Sequence, residues 1–483
     1  MGPGTFTVPM SMHQEARRRL ADRLRRHGVP EGAVVLLQGG EQPQEYDTDR
    51  QLLFMQESFF QYLFGVREPG FLGALEVGSG RATLFMPRLP ESYAVWMGRI
   101  HPPEHFRELY AVDDVRYADE IASVLGALRP ERLLLLKGLN SDSGAIAPPA
   151  SFAGIEAFKT DLATLHPHLV ECRVRKSAEE LSLLAWVNAV SSAAHVEVMR
   201  RCRPGLMEYQ MEALFLHEVY DKAGCRFTAY TCICGCGPHS AVLHYGHQGA
   251  PNDAVMREGD LFLNDSGAEY HGYSADITCT YPVGGKFTPE QRDVYDAVLA
   301  ANRAVQAAMK PGVPWPDMHR LAVRVIVERL RDMGLVRGST DELMASHAGG
   351  LFMPHGLGHL LGLDVHDVGG YPAGTARSDD PGLRGLRCGR SLEAGMFITV
   401  EPGVYFIDAL LDPALADPKM SRLLVPSALA RFRKLGGVRI EDDVVVTATG
   451  SENLTHVPRE VPDIEAVMAG GAWQPRPEKA LAR

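Results

Sequence analysis

Two spacings of apolar residues run through this chain. Unbroken runs at Val34-Val35-Leu36-Leu37, 72–77, Thr83-Leu84-Phe85-Met86 and 133–136 predict buried strands. Between them, residues 13–27 and 119–125 carry apolar positions three and four apart and predict helices. That alternation predicts an α/β domain over residues 1–172. After Val170-Glu171-Cys172-Arg173-Val174 the pattern changes. Ser177 and Glu180 form a capping box, and Leu181, Leu184, Val187 and Val190 follow at helical spacing. A second domain is therefore placed at 173–483. Within it, Thr288-Pro289-Glu290-Gln291 starts a helix, with a threonine cap, a proline in the first turn and a glutamine reaching back. Lys310-Pro311-Gly312 ends it, and a further helix runs over 317–333 to Gly334. A polar, Pro-containing tail occupies 470–483.

The chemistry concentrates in residues 265–278. Leu261-Phe262-Leu263-Asn264 leads into Asp265, and Ile277-Thr278-Cys279-Thr280-Tyr281 follows Asp276. Gly267, Tyr270-His271 and Gly272 predict a hairpin connection between these runs. A hairpin sets the two carboxylates side by side, where they repel unless a cation lies between them. Acidic residues at hairpin ends are also commonly plain solvated turns. Three later motifs favour the cation: Pro354-His355-Gly356-Leu357-Gly358-His359 with Asp364-Val365-His366-Asp367, Thr399-Val400-Glu401-Pro402-Gly403, and Gly436-Gly437-Val438-Arg439-Ile440-Glu441-Asp442. Glu401 ends the run Met396-Phe397-Ile398-Thr399-Val400, and Glu441 precedes Val444-Val445-Val446. Buried glutamates need a partner, either a cation or a salt bridge to Arg439 or a lysine. Asp265, Asp276, His359, Glu401 and Glu441 together make an oxygen-rich ligand set suited to Mn²⁺, Co²⁺ or Zn²⁺. Two such metals roughly 3.5–4 Å apart can share a hydroxide and polarise a carbonyl.

The pair His355-x3-His359 matches a helical zinc site in spacing, but Gly356 and Gly358 disfavour a helix. A Gly-rich loop is predicted, with His359 as the ligand. His355 stays open between loop packing and support of a ligand.

Composition narrows the class. With 45% hydrophobic and 23% charged residues, the 483-residue chain is that of an ordinary globular protein. Its net charge of −11 argues against nucleic-acid binding. No apolar run approaches the ~18–20 residues that span a bilayer, so no membrane partner is expected. The first residues, MGPGTFTVPM, lack a basic stretch followed by an apolar one. A cytoplasmic location is expected. Of the eight cysteines, Cys232, Cys234 and Cys236 alternate along a predicted strand, a spacing unlike the two-residue gap of zinc cages. They read as reduced, buried small residues, with a disulfide still open.

The ordered set Asp265, Asp276, His359, Glu401, Glu441 in these contexts resembles the pita-bread metallopeptidases of the creatinase/aminopeptidase family. Within that family it is similar to the long, cytosolic prolidase branch, the Xaa-Pro dipeptidases. Gln56-Glu57-Ser58-Phe59-Phe60, Tyr110-Ala111-Val112-Asp113-Asp114-Val115, Tyr230-Thr231-Cys232-Ile233-Cys234-Gly235, His244-Tyr245-Gly246-His247 and residues 352–370 carry the same resemblance. It implies an α+β protein: a smaller α/β creatinase-like N-terminal domain, then a pita-bread catalytic domain in which helices cover a curved antiparallel sheet. It implies two divalent ions, Mn²⁺ foremost and Co²⁺ or Zn²⁺ as alternatives, and a homodimer.

The resemblance also implies roles. Asp265 would bind one metal, His359 and Glu401 the other, and Asp276 and Glu441 would bridge. Glu401 would also move the proton from water to the leaving amine. His244 would line the substrate pocket, and His366 would donate to the scissile oxygen. Arg387 would grip the substrate carboxylate. Tyr230 and Arg439 are placed with the substrate-binding residues. Trp96 would reach toward the partner's site, with core packing as the plainer reading. The expected reaction is hydrolysis of the Xaa-Pro imide bond, which lacks an N–H. Two rivals remain: an aminopeptidase P acting on longer Xaa-Pro peptides, and a binding protein on the same fold. Side activity on organophosphate esters stays undecided.

Overall fold

The computed structural model describes residues 1–473; of the 470–483 tail, residues 474–483 lie outside the described residues. The chain divides into two compact units. One spans Thr7–Glu179, and the other joins Met1–Phe6 to the chain from Glu180 onward. The division thus falls seven residues beyond position 172, because the helix Leu165–Val174 packs on the helix Met10–Arg26 and the strand Arg132–Leu135 of the first unit.

The first unit is built on a six-stranded mixed sheet. Its strand order is Asp114–Tyr117, Ala82–Met86, Leu72–Glu76, Ala33–Gln38, Arg132–Leu135, Thr160–Asp161. Ala33–Gln38 is interior, pairing antiparallel with Leu72–Glu76 and parallel with Arg132–Leu135. An interior strand covered on both faces favours an unbroken apolar run, and AVVLLQ supplies one. Val34, Leu36, Phe85, Leu133 and Leu135 pack on Ile121 and Leu125 of the helix Ile121–Leu128. The helix Met10–Arg26 buries Met12, Ala16, Leu20 and Leu24, four residues apart, on one face.

The second unit holds short antiparallel sheets beside long helices. Ile233–Cys236, Leu261–Asp265 and Thr278–Pro282 form one sheet, and Asp265 is registered opposite Thr278. Between the last two strands the chain makes a smaller hairpin, Ala268–Tyr270 with Tyr273–Ser274. Its turn is His271-Gly272, both at positive φ (51° and 84°), as a two-residue hairpin turn requires. In a third sheet Asp442–Val446 is central, pairing with Phe397–Val400 on one side and Ser451–Asn453 on the other, and Gly403–Tyr405 pairs with Gly437–Arg439.

The helices Pro289–Ala308 and Trp315–Asp332 pack against each other. Thr288 caps the first, accepting from the Gln291 backbone while Gln291 reaches back. Ala178–Arg201 corrects the sequence reading on one point. By length and apolarity this helix qualifies as a bilayer span, yet 56% of its apolar window is buried inside the protein. Its residues at 188, 191, 192 and 195 are polar and fully buried, a stripe that hydropathy alone conceals. No disulfide joins any of the eight cysteines among the described residues, and all eight are buried.

Candidate active site

The four carboxylates occupy places where sheet ladders stop. Asp265 ends its strand, and Asp276 lies in the three-residue break before Thr278. Glu401 follows Phe397–Val400, and Glu441 sits between Gly437–Arg439 and Asp442–Val446. Ladder ends free side chains from pleat alternation, so carboxylates from four segments converge. His359 arrives on an irregular segment, not a helix, with Leu360 bridged to Ile398. Gly358 is required there: a Cβ would stand 2.0 Å from the Thr399 carbonyl oxygen. Gly267 plays the same part in the hairpin, where a Cβ would meet the Ala275 oxygen at 1.7 Å.

All five residues line one cavity of about 530 Å³, together with Tyr230, His244, His366, Arg387 and Arg439. Trp96 does not line it. It belongs to the first unit and is 84% exposed on the short helix Tyr93–Met97, so the core-packing reading is set aside.

His359 Nε2 lies 3.3 Å from Asp276 Oδ2 and 3.5 Å from Glu401 Oε1. Its Nδ1 is 3.1 Å from the Leu360 carbonyl, which accepts only, so Nδ1 carries a proton and Nε2 is the ring atom turned toward the carboxylates. Asp276, His359 and Glu441 offer ligand atoms that all lie within 4.8 Å of one another. The walls hold these groups in place. Thr278 Oγ1 donates to Glu441 Oε2 at 2.7 Å, and Thr399 Oγ1 donates to Glu401 at 3.3 Å. Tyr230 donates to Asp265 Oδ1, and the backbone N–H of Asp276 donates to Asp443 Oδ2 at 2.9 Å.

Arg439 is committed to the wall. Its guanidinium donates to Asp265, to Tyr405 Oη at 2.8 Å and to Thr278 Oγ1 at 3.1 Å. The salt bridge that a plain reading offers Glu401 or Glu441 goes to Asp265 instead.

The electrostatics fit a cation-binding site. Burial and the neighbouring Asp276, Glu401 and Asp265 push Glu441 far above the carboxylate range. Burial raises Glu401 to about 7 and Asp265 to about 6. Asp276 is held low: burial opposes ionisation, but contact with His359 outweighs it. Glu401, Asp265 and Glu441, facing one guanidinium and one imidazole, are pushed toward their protonated forms because those two groups offset only part of their charge. Divalent cations are the group this donor set fits.

The substrate side is cationic or neutral. Burial, then His359 and Arg387, lowers His366 to about 3. Burial, then Arg439 and Arg387, also lowers His244. Both imidazoles are neutral at pH 7. The rings of His359 and His366 meet edge to face at 4.4 Å.

Sequence reasoning left His355 open. It lines the cavity, its Nε2 is 3.1 Å from Tyr405 Oη, and its Nδ1 is 3.8 Å from Glu401. Tyr405, Thr278 and Thr399 were missed. Only strand register could have found Thr278, since it stands opposite Asp265.

Two family models match this chain: Metallopeptidase family M24 over residues 183–448, and Aminopeptidase P, N-terminal domain, over residues 13–134. The chain belongs to metallopeptidase family M24. Within M24, it is 56% identical over 471 residues to the Xaa-Pro dipeptidase of Homo sapiens, covering 97% of this chain and 96% of the relative. A probable Xaa-Pro aminopeptidase of Verticillium alfalfae is 36% identical over 452 residues, covering 93% and 95%. Among solved structures, proline aminopeptidase P II from Yersinia pestis superposes with a TM-score of 0.77 at 34% identity, covering 96% and 100%. This M24 peptidase is therefore an α+β protein with a pita-bread catalytic unit, and a metal-dependent hydrolase of the prolidase branch.

Proposed function

We propose that this M24 metallopeptidase hydrolyses the imide bond of Xaa-Pro dipeptides and releases free proline. The carrying observation is the single cavity in which all five candidate ligands meet His244, His366 and Arg387. Asp265, Asp276, His359, Glu401 and Glu441 would hold two divalent ions, with Mn²⁺ the expected metal. When bound, such ions supply an acidified water and a Lewis acid for the scissile carbonyl.

The chain's own residues then have distinct tasks. Glu401, 3.5 Å from His359 Nε2 on the cavity wall, would take a proton from water and return it to the proline nitrogen. His366, neutral, donates an N–H to the carbonyl oxygen as charge develops there. His244 and Tyr230 border the substrate. Arg387 receives the substrate carboxylate, which selects a chain that ends at proline. Arg439 holds Asp265 in place.

Because proline's nitrogen bears no hydrogen, a site that engages only the carbonyl and the carboxylate suits this bond. The enzyme is placed in the cytoplasm as a homodimer, with exposed Trp96 reaching toward the partner's cavity. Sedimentation of wild type and Trp96→Ala tests that assembly.

The reaction itself is tested on metal-stripped protein reloaded with Mn²⁺, given Ala-Pro, Gly-Pro and Ala-Pro-Ala. Cleavage of the dipeptides alone is expected. Preference for the tripeptide would make the enzyme an aminopeptidase P and remove the role of Arg387. No cleavage and no bound metal would leave a binding protein on this fold.

A further inference from the structure

The helix Ala178–Arg201 presents Asn188, Ser191, Ser192 and His195 on one face, all at 0% exposure. Such a stripe is costly to bury unless every polar atom is engaged. Each residue touches a segment near the site. Asn188 accepts from Thr455, whose hydroxyl also accepts the Asp443 N–H. Ser191 accepts the Ala268 N–H in the hairpin, and Ser192 accepts the His456 N–H.

His195 makes the most pointed contacts. Its Nε2 is 2.8 Å from the carbonyl oxygen of Ser266, and its Nδ1 is 3.2 Å from Nδ2 of Asn264. A carbonyl accepts only, so Nε2 carries the proton, and Nδ1 accepts from the Asn264 amide. The Asn264 oxygen in turn accepts from Ser266 Oγ at 2.9 Å. His195, Asn264 and Ser266 thus close a ring of hydrogen bonds across the two residues that flank Asp265.

We propose that His195 is a positioning residue for Asp265: by pinning both of its chain neighbours, it sets the direction in which that carboxylate meets a metal ion. The proposal rests on the reading of Asp265 as a ligand. The ring needs a neutral imidazole that both donates and accepts, and burial, which lowers His195 to about 4, keeps it so at neutral pH. Ordering the neighbours of a ligand typically changes metal affinity by ~10–100-fold.

The test withdraws metal from Mn²⁺-loaded, full-length enzyme with a chelator. His195→Phe keeps the ring and its edge-to-face packing on Phe215, at 5.2 Å, but removes both hydrogen bonds. It is expected to release metal at ~10–100-fold lower chelator concentration than wild type. His195→Gln, whose amide both donates and accepts, is expected to stay within about threefold of wild type. Equal metal retention in wild type and His195→Phe overturns the proposal, as does equal loss in Phe and Gln. Should His195→Phe fail to fold, Asn264→Ala removes one bond of the ring, and unchanged metal retention in that variant overturns the proposal. Because metal retention is the readout, failure to cleave dipeptides counts against the proposed reaction alone. Failure of wild type to hold Mn²⁺ removes the ligand reading itself.

Discussion

His359 Nε2 lies 3.3 Å from Asp276 Oδ2, while Nδ1 of the same ring is fixed on the Leu360 carbonyl. One ring atom is therefore anchored and the other is aimed at the carboxylates. That arrangement makes His359 a ligand already oriented for a cation.

His359→Ala is expected to lower metal affinity by roughly a hundredfold or more, beyond the ~10–100-fold typical of residues that only support ligands. Peptidase activity at limiting Mn²⁺ should fall with it. Metal analysis after dialysis checks the first effect; retained metal at wild-type stoichiometry would contradict it.

In metal-free protein, Glu401 and Asp265 should each contribute stability that is lost as pH rises. Burial lifts Glu401 from 4.5 to about 7 and Asp265 from 3.8 to about 6 in the folded chain. At these two groups the folded state binds more protons than the unfolded state, so their contribution falls with increasing pH. The contribution is fully present below about pH 4 and is lost as pH climbs through 6 and 7. Thermal unfolding of stripped wild type and stripped Glu401→Gln between pH 4 and 7.5 isolates the effect: wild type should lose stability relative to the variant as pH rises, and saturating Mn²⁺ should reverse that loss. A difference between the two that does not change with pH would refute the prediction.

Arg387→Met is expected to cut kcat/KM on Gly-Pro by ~10–150-fold, the loss of a charge-assisted hydrogen bond of about 1.5–3 kcal/mol. Activity on Ala-Pro-Ala, already weak, should change little. An equal loss on both peptides would place Arg387 in the wall rather than on the substrate carboxylate.

Gly358→Ala brings a Cβ to 2.0 Å from the Thr399 oxygen, which is backbone and has little room to yield. Forced shifts in packed interiors cost about 1–3 kcal/mol, occasionally more, and here they act one residue from His359. Lower thermal stability and weaker metal binding should appear together. Wild-type values for both would show that the loop moves freely.

Much of this was legible in the residues. Strands at 33–38 and 72–76 follow from apolar runs, and Thr288-Pro289 with Gln291 marks a helix start that the structure bears out, with Thr288 as the cap and Pro289 as the first helical residue. Local periodicity and capping chemistry decide such elements from nearby residues. The buried stripe on Ala178–Arg201 was not legible. Serine, asparagine and histidine at helical spacing have the same appearance whether they face water or a strand end.

What the linear chain establishes is the inventory: which residues carry charge, which segments are apolar enough to be buried, and the ordered ligand set with its family. Those depend on residue identity and short-range spacing. The folded chain alone settles that Arg439 is committed to Asp265, that Trp96 is exposed, and that His195 spans the neighbours of Asp265. These facts depend on pairings between residues tens to hundreds of positions apart. Such pairings are selected by the burial of the whole core and the satisfaction of its polar atoms, and no local pattern encodes them.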